Sequence, residues 1–308
     1  MAGPQGRRIV VSGATGLIGR AVVAALREQG GQPVVLSRNP QRARPTFGEG
    51  VEVHRWEGEG RPPAQALEGA YAVIHLSGEP IDQRWTAAAK ERIRESRVRS
   101  TRELVAALAD LKGRPEVFLC ASAIGYYGDR GAEPLDEEAP PGSGFLPEVC
   151  IAWEKEAAAA AKVGVRAAWL RTGVVLAKSG GALARMLPFF KAGLGGPVGS
   201  GRQHLSWIHL EDVVGLYLFA LAEDGISGPL NATAPQPVTN AEFARTLGRV
   251  LHRPAFLPVP PLALRLLYGE MATLLTTGAR VVPAKALVHG YTFRHQQLEP
   301  ALAAALRA

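Results

Sequence analysis

The first 180 residues alternate between short apolar runs and longer stretches in which apolar residues recur at helical spacing. The runs predict buried strands at residues 8–12, 33–37, 51–54, 72–76, 117–121 and 167–171. A helix is predicted over residues 21–27, and further helical segments separate the later strands. Strands that alternate with helices form a parallel sheet covered on both faces. The expected fold class is therefore α/β, a doubly wound parallel sheet.

The second part of the chain has a different pattern. Between residues 172 and 201 the composition shifts to glycine and small apolar residues, and the run at 193–201 in particular predicts a flexible loop that would suit a mobile lid. Thr239 and Glu242 stand at the spacing of a capping box, which predicts the start of a helix. Leu-rich helical patterning over residues 258–308 predicts a smaller, mainly helical domain.

Three glycines follow the first predicted strand at G-x-x-G-x-x-G spacing, namely Gly13, Gly16 and Gly19. The first allows a sharp turn, the second allows backbone N–H groups to approach a pyrophosphate, and the third allows close packing of helix on sheet. The positive end of the helix then faces the phosphates. The motif predicts a dinucleotide site, and the alternative is a glycine-rich turn without a ligand.

The second predicted strand ends at Ser37 and Arg38, about twenty residues beyond the glycines, where such folds meet the adenosine ribose. An acidic residue there would accept hydrogen bonds from a free 2′-hydroxyl, whereas an arginine pairs with a 2′-phosphate. The sequence therefore favours NADP over NAD as the cofactor. The alternative is a surface arginine that starts a turn before Asn39 and Pro40.

Composition limits the function classes. The chain has 308 residues, of which 47% are hydrophobic and 20% charged, as in ordinary globular proteins. The first strand begins within about seven residues and no apolar stretch approaches the roughly twenty residues of a membrane span, so a cytoplasmic location without membrane association is expected. Cys120 and Cys150 have no metal-ligand spacing around them, so free thiols and no metal are expected.

The net charge of +7 raises the question of nucleic acid. Five arginines fall between residues 92 and 102, but glutamates are interleaved with them. The pattern predicts a helix with a charge-paired solvent face, and no nucleic-acid partner is expected. The predicted buried stripe of this helix is Ile93, Val98, Thr101, Val105 and Leu108.

Several motifs resemble the extended and atypical short-chain dehydrogenase/reductases. They are Gly-Ala-Thr-Gly-Leu-Ile-Gly at 13–19, Ile-His-Leu-Ser-Gly-Glu at 74–79, Tyr-Tyr-Gly-Asp at 126–129, Gly-Ser-Gly-Arg-Gln at 199–203 and Trp-Ile-His-Leu-Glu-Asp at 207–212. Further segments resemble one branch, the epimerase-family proteins of the SDR39U1/YfcH type. These segments lie at 153–154, 171–176, 193–197, 231–235, 258–260 and 269–271.

The resemblance covers nearly the whole chain and implies two domains. An NADP-binding Rossmann domain would comprise residues 7–180, with 205–232 returning to it. A small substrate or cap domain would comprise residues 181–204 and 235–308. The active cleft would lie between the two.

The resemblance also implies cofactor-binding residues. The phosphate loop would be Gly13, Thr15, Gly16, Leu17, Ile18 and Gly19, and the adenosine phosphate would meet Ser37 and Arg38. Leu76, Ser77 and Gly78 would lie along the cofactor, with Glu79 at the cleft entrance. Arg97 is either a cofactor contact or part of a surface ion pair, and Ser122 and Val175 would close the nicotinamide side.

The catalytic residues remain unknown at this point. Members of the family that oxidise or reduce a carbon–oxygen bond use a Tyr with a Lys four residues later, together with a Ser. Here none of the six tyrosines has a Lys at that spacing, and Ala123 stands where the Ser is usual. The candidates are Ser122, Tyr126 and Tyr127. Other polar groups predicted near the cleft are Glu79, Arg185, His204, His209 and the pair Cys150 and Glu154.

Three functions are therefore open. The first is an NADP-dependent oxidoreductase that acts on an unidentified carbonyl or nucleotide-linked substrate. The second is a non-catalytic protein that binds NADP(H) and senses redox state or holds a partner. The third is a nucleotide-sugar epimerase, which the missing Tyr and Lys oppose. The substrate and the reaction direction are not predicted, and an oligomer is compatible with the sequence.

Overall fold

The computed structural model describes residues 3–307. Its strands are β1 Arg8–Ser12, β2 Gln32–Ser37, β3 Glu52–Arg55, β4 Ala72–His75, β5 Val117–Ala123, β6 Pro134–Leu135, β7 Arg166–Thr172, β8 Val174–Leu176, β9 His204–Leu205, β10 Trp207–His209, β11 Gly228–Ala232, β12 Val238–Thr239 and β13 Arg280–Val281. Its α-helices are α1 Leu17–Glu28, α2 Pro40–Phe47, α3 Ala64–Leu67, α4 Ala87–Asp110, α5 Phe145–Ala158, α6 Gly181–Lys191, α7 Leu210–Ala222, α8 Asn240–Leu251, α9 Pro261–Tyr268, α10 Thr273–Thr276, α11 Ala284–Val288 and α12 Leu298–Arg307. Short 3₁₀ helices span Ile124–Tyr127, Ala159–Val163 and Gly269–Ala272.

Seven strands form one sheet in the order β11-β7-β5-β4-β1-β2-β3. Every neighbouring pair in this sheet is parallel. The chain builds outward from β1 to β3 and then returns to place β4 on the other side of β1. Ligands of such sheets bind at the carboxyl ends of the strands beside this switch point. The α/β doubly wound fold predicted from the sequence is confirmed.

The six predicted strands are all present, with ends that differ by no more than two residues. Their apolar runs are continuous because both faces of the sheet are buried. Along β1, Ile9 and Val11 pack in the cluster on one face, and Val10 packs in the cluster on the other. Helix α1 begins at Leu17, earlier than predicted, because its first turn lies within the glycine motif.

The charged stretch around residues 92–102 lies in the 24-residue helix α4. All five residues of its predicted apolar stripe are buried. Arg92, Arg94, Arg99 and Arg102 are exposed, and Arg94 pairs with Glu95 while Arg102 pairs with Glu156 of α5. Arg97 instead points towards the turn after β4. Among the described helices, none is both long enough and apolar enough to cross a membrane.

The prediction of a loop throughout residues 172–201 is wrong for most of this segment, which contains β8 and α6. The sequence did not predict α6 because glycines stand at its start. Leu183, Leu187 and Phe190 nevertheless form a buried stripe along this helix. The remainder, residues 193–201, does lie outside the sheet. It is tied to the segment before α9, because Gly199 N–H donates to the Val259 carbonyl over 3.0 Å.

The C-terminal region is helical and has an apolar cluster of its own. Helix α6 contributes Leu187 to this cluster, α8 contributes Phe243 and Leu247, and α12 contributes Leu302. The capping box predicted at the start of α8 is present, with Thr239 and Glu242 each bonded to the other's backbone N–H. The proposed domain boundaries stay a prediction, and Ala308 lies outside the described residues.

Candidate cofactor cleft

The turn from β1 into α1 presents bare backbone. Gly13 has a φ of +68°, and a Cβ there would lie 2.6 Å from the Leu76 carbonyl carbon. A Cβ on Gly19 would lie 2.4 Å from the Gly13 oxygen and 2.6 Å from Ala14 Cα, so this glycine allows the first turn of α1 to lie close to the turn that follows β1. Gly16 is the N-cap of α1, with no side-chain cap and no acidic residue in the first turn. The first N–H groups of α1 are therefore available to an anion.

The remaining residues of the predicted phosphate loop lie in the same turn. Thr15 is exposed, and Leu17 and Ile18 are half-buried at the start of α1. Because an added Cβ on Gly16 would meet only the Gly13 oxygen, at 3.3 Å, the space in front of this turn is open. The arrangement offers backbone donors and a helix N-terminus on one side of a groove.

The turn after β4 forms the other side of this groove. Leu76 and Ser77 are half-buried, Gly78 is exposed, and the backbone of this turn touches Gly13 as described above. Glu79 anchors the turn, because its N–H donates to Ser96 Oγ over 2.9 Å. The residues predicted to lie along the cofactor are thus gathered at the switch point of the sheet.

Arg97 lies under the β4 turn. Its Nη1 donates to the carbonyl oxygens of Glu79, at 2.9 Å, and Ile93, at 3.0 Å. A Cβ on Gly78 would lie 3.0 Å from the Arg97 guanidinium carbon. Burial lowers the pKa of Arg97, and no carboxylate within residues 3–307 forms an ion pair with it. The surface ion pair considered for Arg97 is therefore absent, and a cation remains beside the groove.

Arg38 follows the end of β2 and has no side-chain partner among residues 3–307. The turn is built by its neighbours, because Ser37 Oγ accepts from Asn39 N–H and Asn39 Oδ1 accepts from Arg42 N–H. Arg38 itself is exposed, and it has no hydrogen bond or ion pair with the described part of the chain. A structural turn does not require this guanidinium, which is therefore free for an anionic ligand.

A buried charge network stands at the carboxyl ends of β5 and β7. Ser122 Oγ donates to Glu154 Oε1 over 2.6 Å. Arg171 holds both carboxylate oxygens of Glu154, with Nε 2.9 Å from Oε1 and Nη2 2.8 Å from Oε2. All three side chains are less than 10% exposed. Burial opposes the charge of Arg171, but its hydrogen bonds and proximity to Glu154 outweigh this effect and raise the pKa of Arg171.

The two candidate tyrosines have different surroundings. Tyr127 is fully buried, and its hydroxyl lies 2.7 Å from Asn231 Oδ1 and accepts from Arg171 Nη1 over 2.9 Å. Burial raises the pKa of Tyr127 to about 12. Tyr126 is half-buried with the Arg171 guanidinium carbon 3.5 Å from its ring centre. The placement of Tyr127 opposes direct contact with a substrate, whereas Tyr126 supports the charge network through a cation–π contact.

Helix α5 presents Cys150 and Glu154 to the end of β5. Cys150 is buried, and its thiol lies 3.7 Å from the Ala123 carbonyl oxygen. Burial raises the pKa of Cys150 to about 12, so this side chain is a neutral thiol at physiological pH. Both cysteines are free, as predicted. Val175 of β8 is half-buried. It pairs with Ile208 of β10, and it packs against the apolar cluster to which Ile208 belongs.

The other polar candidates lie further out. Arg185 on α6 pairs with Asp82, which follows the β4 turn. His204 is in β9, and its Nδ1 is buried without a hydrogen-bond partner in the described chain. His209 caps α7, because its Nδ1 accepts from Glu211 N–H over 3.2 Å.

His209, Glu211 and His295 place one potential metal-ligand atom each within 4.8 Å of the others. The hydrogen bonds oppose a metal site there. Since Nδ1 of His209 accepts a backbone N–H, the ring proton of the neutral form is on Nε2, which then has no lone pair for a metal. Glu211 is already paired with His295, at 3.1 Å, and with Arg294, at 3.8 Å. The cluster joins the C-terminal segment to α7.

Sequence reasoning missed the role of Arg171 and of the residues behind it. Asn231 on β11 donates its backbone N–H to Glu137 Oε1, and Glu137 Oε2 accepts from Lys285 N–H of α11. These residues connect the charge network to the sheet edge and to the C-terminal region. An arginine within the apolar run of β7 was the available signal, because a buried charge requires a partner.

Residues 9–231 match the model of the NAD dependent epimerase/dehydratase family. The chain belongs to this family. Residues 259–305 match a domain of unknown function, DUF1731, which coincides with the C-terminal helical region.

Full-length relatives support this assignment. The epimerase family protein SDR39U1 homolog, chloroplastic, of Arabidopsis thaliana is 41% identical over 97% of this chain and 86% of its own. The epimerase family protein Mb2239 of Mycobacterium bovis is 42% identical over 96% of each. The crystal structure of human epimerase family protein SDR39U1 (isoform 2) with NADPH has a TM-score of 0.87 and 33% identity, over 98% of this chain and 100% of that one. The resemblance to the SDR39U1 type is confirmed.

Proposed function

We propose that this protein binds NADP(H) in the groove between the β1 and β4 turns and acts as an NADP(H)-dependent oxidoreductase on a carbonyl or nucleotide-linked substrate. The observation that carries the proposal is the exposed, unpaired Arg38 beside the bare glycine turn. A 2′-phosphate would give this guanidinium a partner of matching geometry. The NADPH in the crystal structure of the human relative supports the same cofactor class.

The residues present fit such a cofactor. The first turn of α1 would hold the two linked phosphates, and Ser37 with Arg38 would hold the adenosine phosphate. The β4 turn would lie along the cofactor with Arg97 beneath it, and Ser122 and Val175 would close the nicotinamide side. When bound, NADPH supplies a hydride, which is the part of the chemistry that belongs to the cofactor.

The remaining chemistry is the movement of a proton, which this chain must perform without the Tyr and Lys of its family. Reduction by NADPH delivers a proton to the carbonyl oxygen, and oxidation by NADP+ removes the same proton from the substrate hydroxyl as the hydride passes to the cofactor. Ser122 is the candidate that we favour, because its hydroxyl donates to Glu154 over 2.6 Å and so leaves its oxygen lone pairs to accept that proton in the oxidation direction. Glu154 would receive the serine proton, and Arg171 would hold the carboxylate in place. The small C-terminal domain would supply the rest of the substrate site.

A second candidate function is binding of NADP(H) without turnover. The observation that favours it is that Ser122, Glu154 and Arg171 satisfy one another while Tyr127 is fully buried. A nucleotide-sugar epimerase is less consistent with the chain, since the same missing Tyr and Lys are required to remove and return the substrate proton. The cytoplasmic location and the absence of a nucleic-acid partner stay predictions.

The proposal is tested by incubating the purified protein with NADPH and a panel of aldehydes, ketones and UDP-sugars. Loss of the nicotinamide absorbance with at least one substrate is expected, and the Gly16→Val variant should give no loss because its side chain fills the phosphate position. NADPH binding without absorbance loss would favour the second candidate. Failure of the protein to bind NADPH would contradict both.

A further inference from the structure

Helix α6 starts against the phosphate loop. A Cβ on Gly180 would lie 3.4 Å from Leu17 Cδ1, and one on Gly181 would lie 3.5 Å from Leu17 Cδ2. Leu17 is the first residue of α1, so the beginning of α6 covers the wall of the groove that presents the helix N-terminus.

The middle of α6 reaches the opposite wall. Arg185 forms an ion pair with Asp82, which lies four residues beyond Gly78 of the β4 turn. Helix α6 thus spans the two turns between which the cofactor is proposed to bind. Movement of α6 away from either turn would widen the groove on this side.

The ion pair between Arg185 and Asp82 is weak enough to break readily. Its side chains are 63% and 41% exposed, and exposed ion pairs are weak and screened by salt. Gly180 precedes the helix and Gly181, with a φ of +69°, is its first residue, so backbone rotation at this junction meets little steric resistance.

Contacts that do not involve α6 join the segment after α9 to α4 and to the residues just before α4. Lys90 of α4 pairs with Glu270, and Met271 packs in an apolar cluster with Trp85 and Ile93. These contacts involve the segment after α9 and leave α6 untouched. Leu183, Leu187 and Phe190 keep the buried face of α6 packed on the C-terminal cluster, so breaking the Arg185–Asp82 pair would release α6 from the β4 turn but not from that cluster.

We propose that the Arg185–Asp82 ion pair is a latch that holds α6 closed over the cofactor groove and sets the rate at which NADP(H) dissociates. The proposal rests on the function proposed above. Its physical content is that the pair stabilises the closed position of α6 and contributes nothing to the contacts between the protein and the nucleotide.

The test is the dissociation rate of NADPH, measured by stopped-flow displacement and nicotinamide fluorescence. Arg185→Asp should raise the rate by about two- to fivefold or more, since it removes an exposed ion pair and adds a like-charge contact. Combining Arg185→Asp with Asp82→Arg should bring the rate back towards that of the wild type. Lys191→Asp is the matched control, because it makes the same charge change at the exposed end of α6, where Lys191 forms no ion pair with residues 3–307.

Higher ionic strength should raise the wild-type rate by a larger factor than that of Arg185→Asp, because screening weakens the attraction of Arg38 for the nucleotide in both proteins but weakens the attraction between Arg185 and Asp82 only in the wild type. An unchanged rate in Arg185→Asp, an equal effect of Lys191→Asp, or no recovery in the charge-swapped protein would overturn the latch. A wild-type protein that binds no NADPH would remove the proposed function and the latch together, whereas normal binding with insensitive rates removes the latch alone.

Discussion

Gly16 and Gly19 differ in what surrounds them, although they stand one helical turn apart. A methyl group on Gly19 would strike the backbone oxygen of Gly13 at 2.4 Å, whereas one on Gly16 faces open space apart from a 3.3 Å contact. One glycine therefore serves packing, and the other keeps a ligand position clear.

Gly19→Ala is expected to reduce the free energy of unfolding by about 1–3 kcal/mol, the usual cost of forcing a group into a packed contact. Gly16→Val should unfold within about 1 kcal/mol of the wild type but should lose NADPH binding. Urea unfolding and nucleotide titration of the two variants check this. Equal stability of both variants, or retained affinity in Gly16→Val, would refute the assignment.

The buried pair of Glu154 and Arg171 makes a second prediction at this scale. Glu154→Gln leaves Arg171 buried without its counter-charge and should cost about 3–5 kcal/mol of stability. Glu156→Gln on the same helix is the control, because Glu156 pairs with a largely exposed Arg102 and should cost about 1 kcal/mol or less. Similar losses of unfolding free energy in the two variants, measured by chemical denaturation, would contradict this prediction.

The role of a single residue could be predicted where it depends only on the residues next to it in the chain. The positions of the glycines in the turn after β1 and of Arg38 at the end of β2 could be predicted from the order of strand, turn and helix, and their contacts with a cofactor stay a prediction. The pairing of Arg171 with Glu154 could not, because the partners stand 17 residues apart on a strand and a helix whose relative position depends on the whole fold.

At the scale of elements, the buried strands were predictable because parallel strands enclosed on both faces are continuous apolar runs. Helix α6 was missed because its paired glycines and Pro188 resemble loop composition, while its apolar stripe contacts helices far away in sequence. The short strand β11 contains Gly228 and Pro229 and could not be recognised individually.

His75 connects three elements under the cleft. Its Nδ1 accepts from Ser12 Oγ of β1 over 2.6 Å, and its Nε2 donates to Ser100 Oγ of α4 over 3.1 Å. Burial lowers the pKa of His75 from 6.5 to about 3. The neutral ring is therefore required in the folded state, whereas the unfolded chain takes up a proton below pH 6.5.

This linkage predicts the pH dependence of stability. Between pH 6.5 and about 3 the unfolded state binds more protons, so the contribution of His75 is complete above pH 6.5 and is lost as the pH falls through this window. Each pH unit should cost about 1.4 kcal/mol from this group. Unfolding free energies measured at pH 7 and pH 4 should differ less in His75→Gln than in the wild type. An equal difference would exclude His75 as the cause.

At the scale of the whole molecule, the order of the strands places the β1 and β4 turns together and the C-terminal region beside them. The position of the cofactor groove could be inferred from the sequence because the switch point follows from the chain order of strands and helices. The way the C-terminal region meets the sheet could not, since it depends on contacts such as Glu137 with Lys285 that join distant segments.

The central claim is that the glycine turn and Arg38 together select NADP(H). It is tested most directly by calorimetric titration of the wild type, Arg38→Gln and Arg42→Gln with NADPH and NADH. The wild type should prefer NADPH, Arg38→Gln should lose about ten- to a hundredfold in NADPH affinity with little change for NADH, and Arg42→Gln should resemble the wild type. Equal affinity of the wild type for both nucleotides, or a preference that survives in Arg38→Gln, would contradict the account.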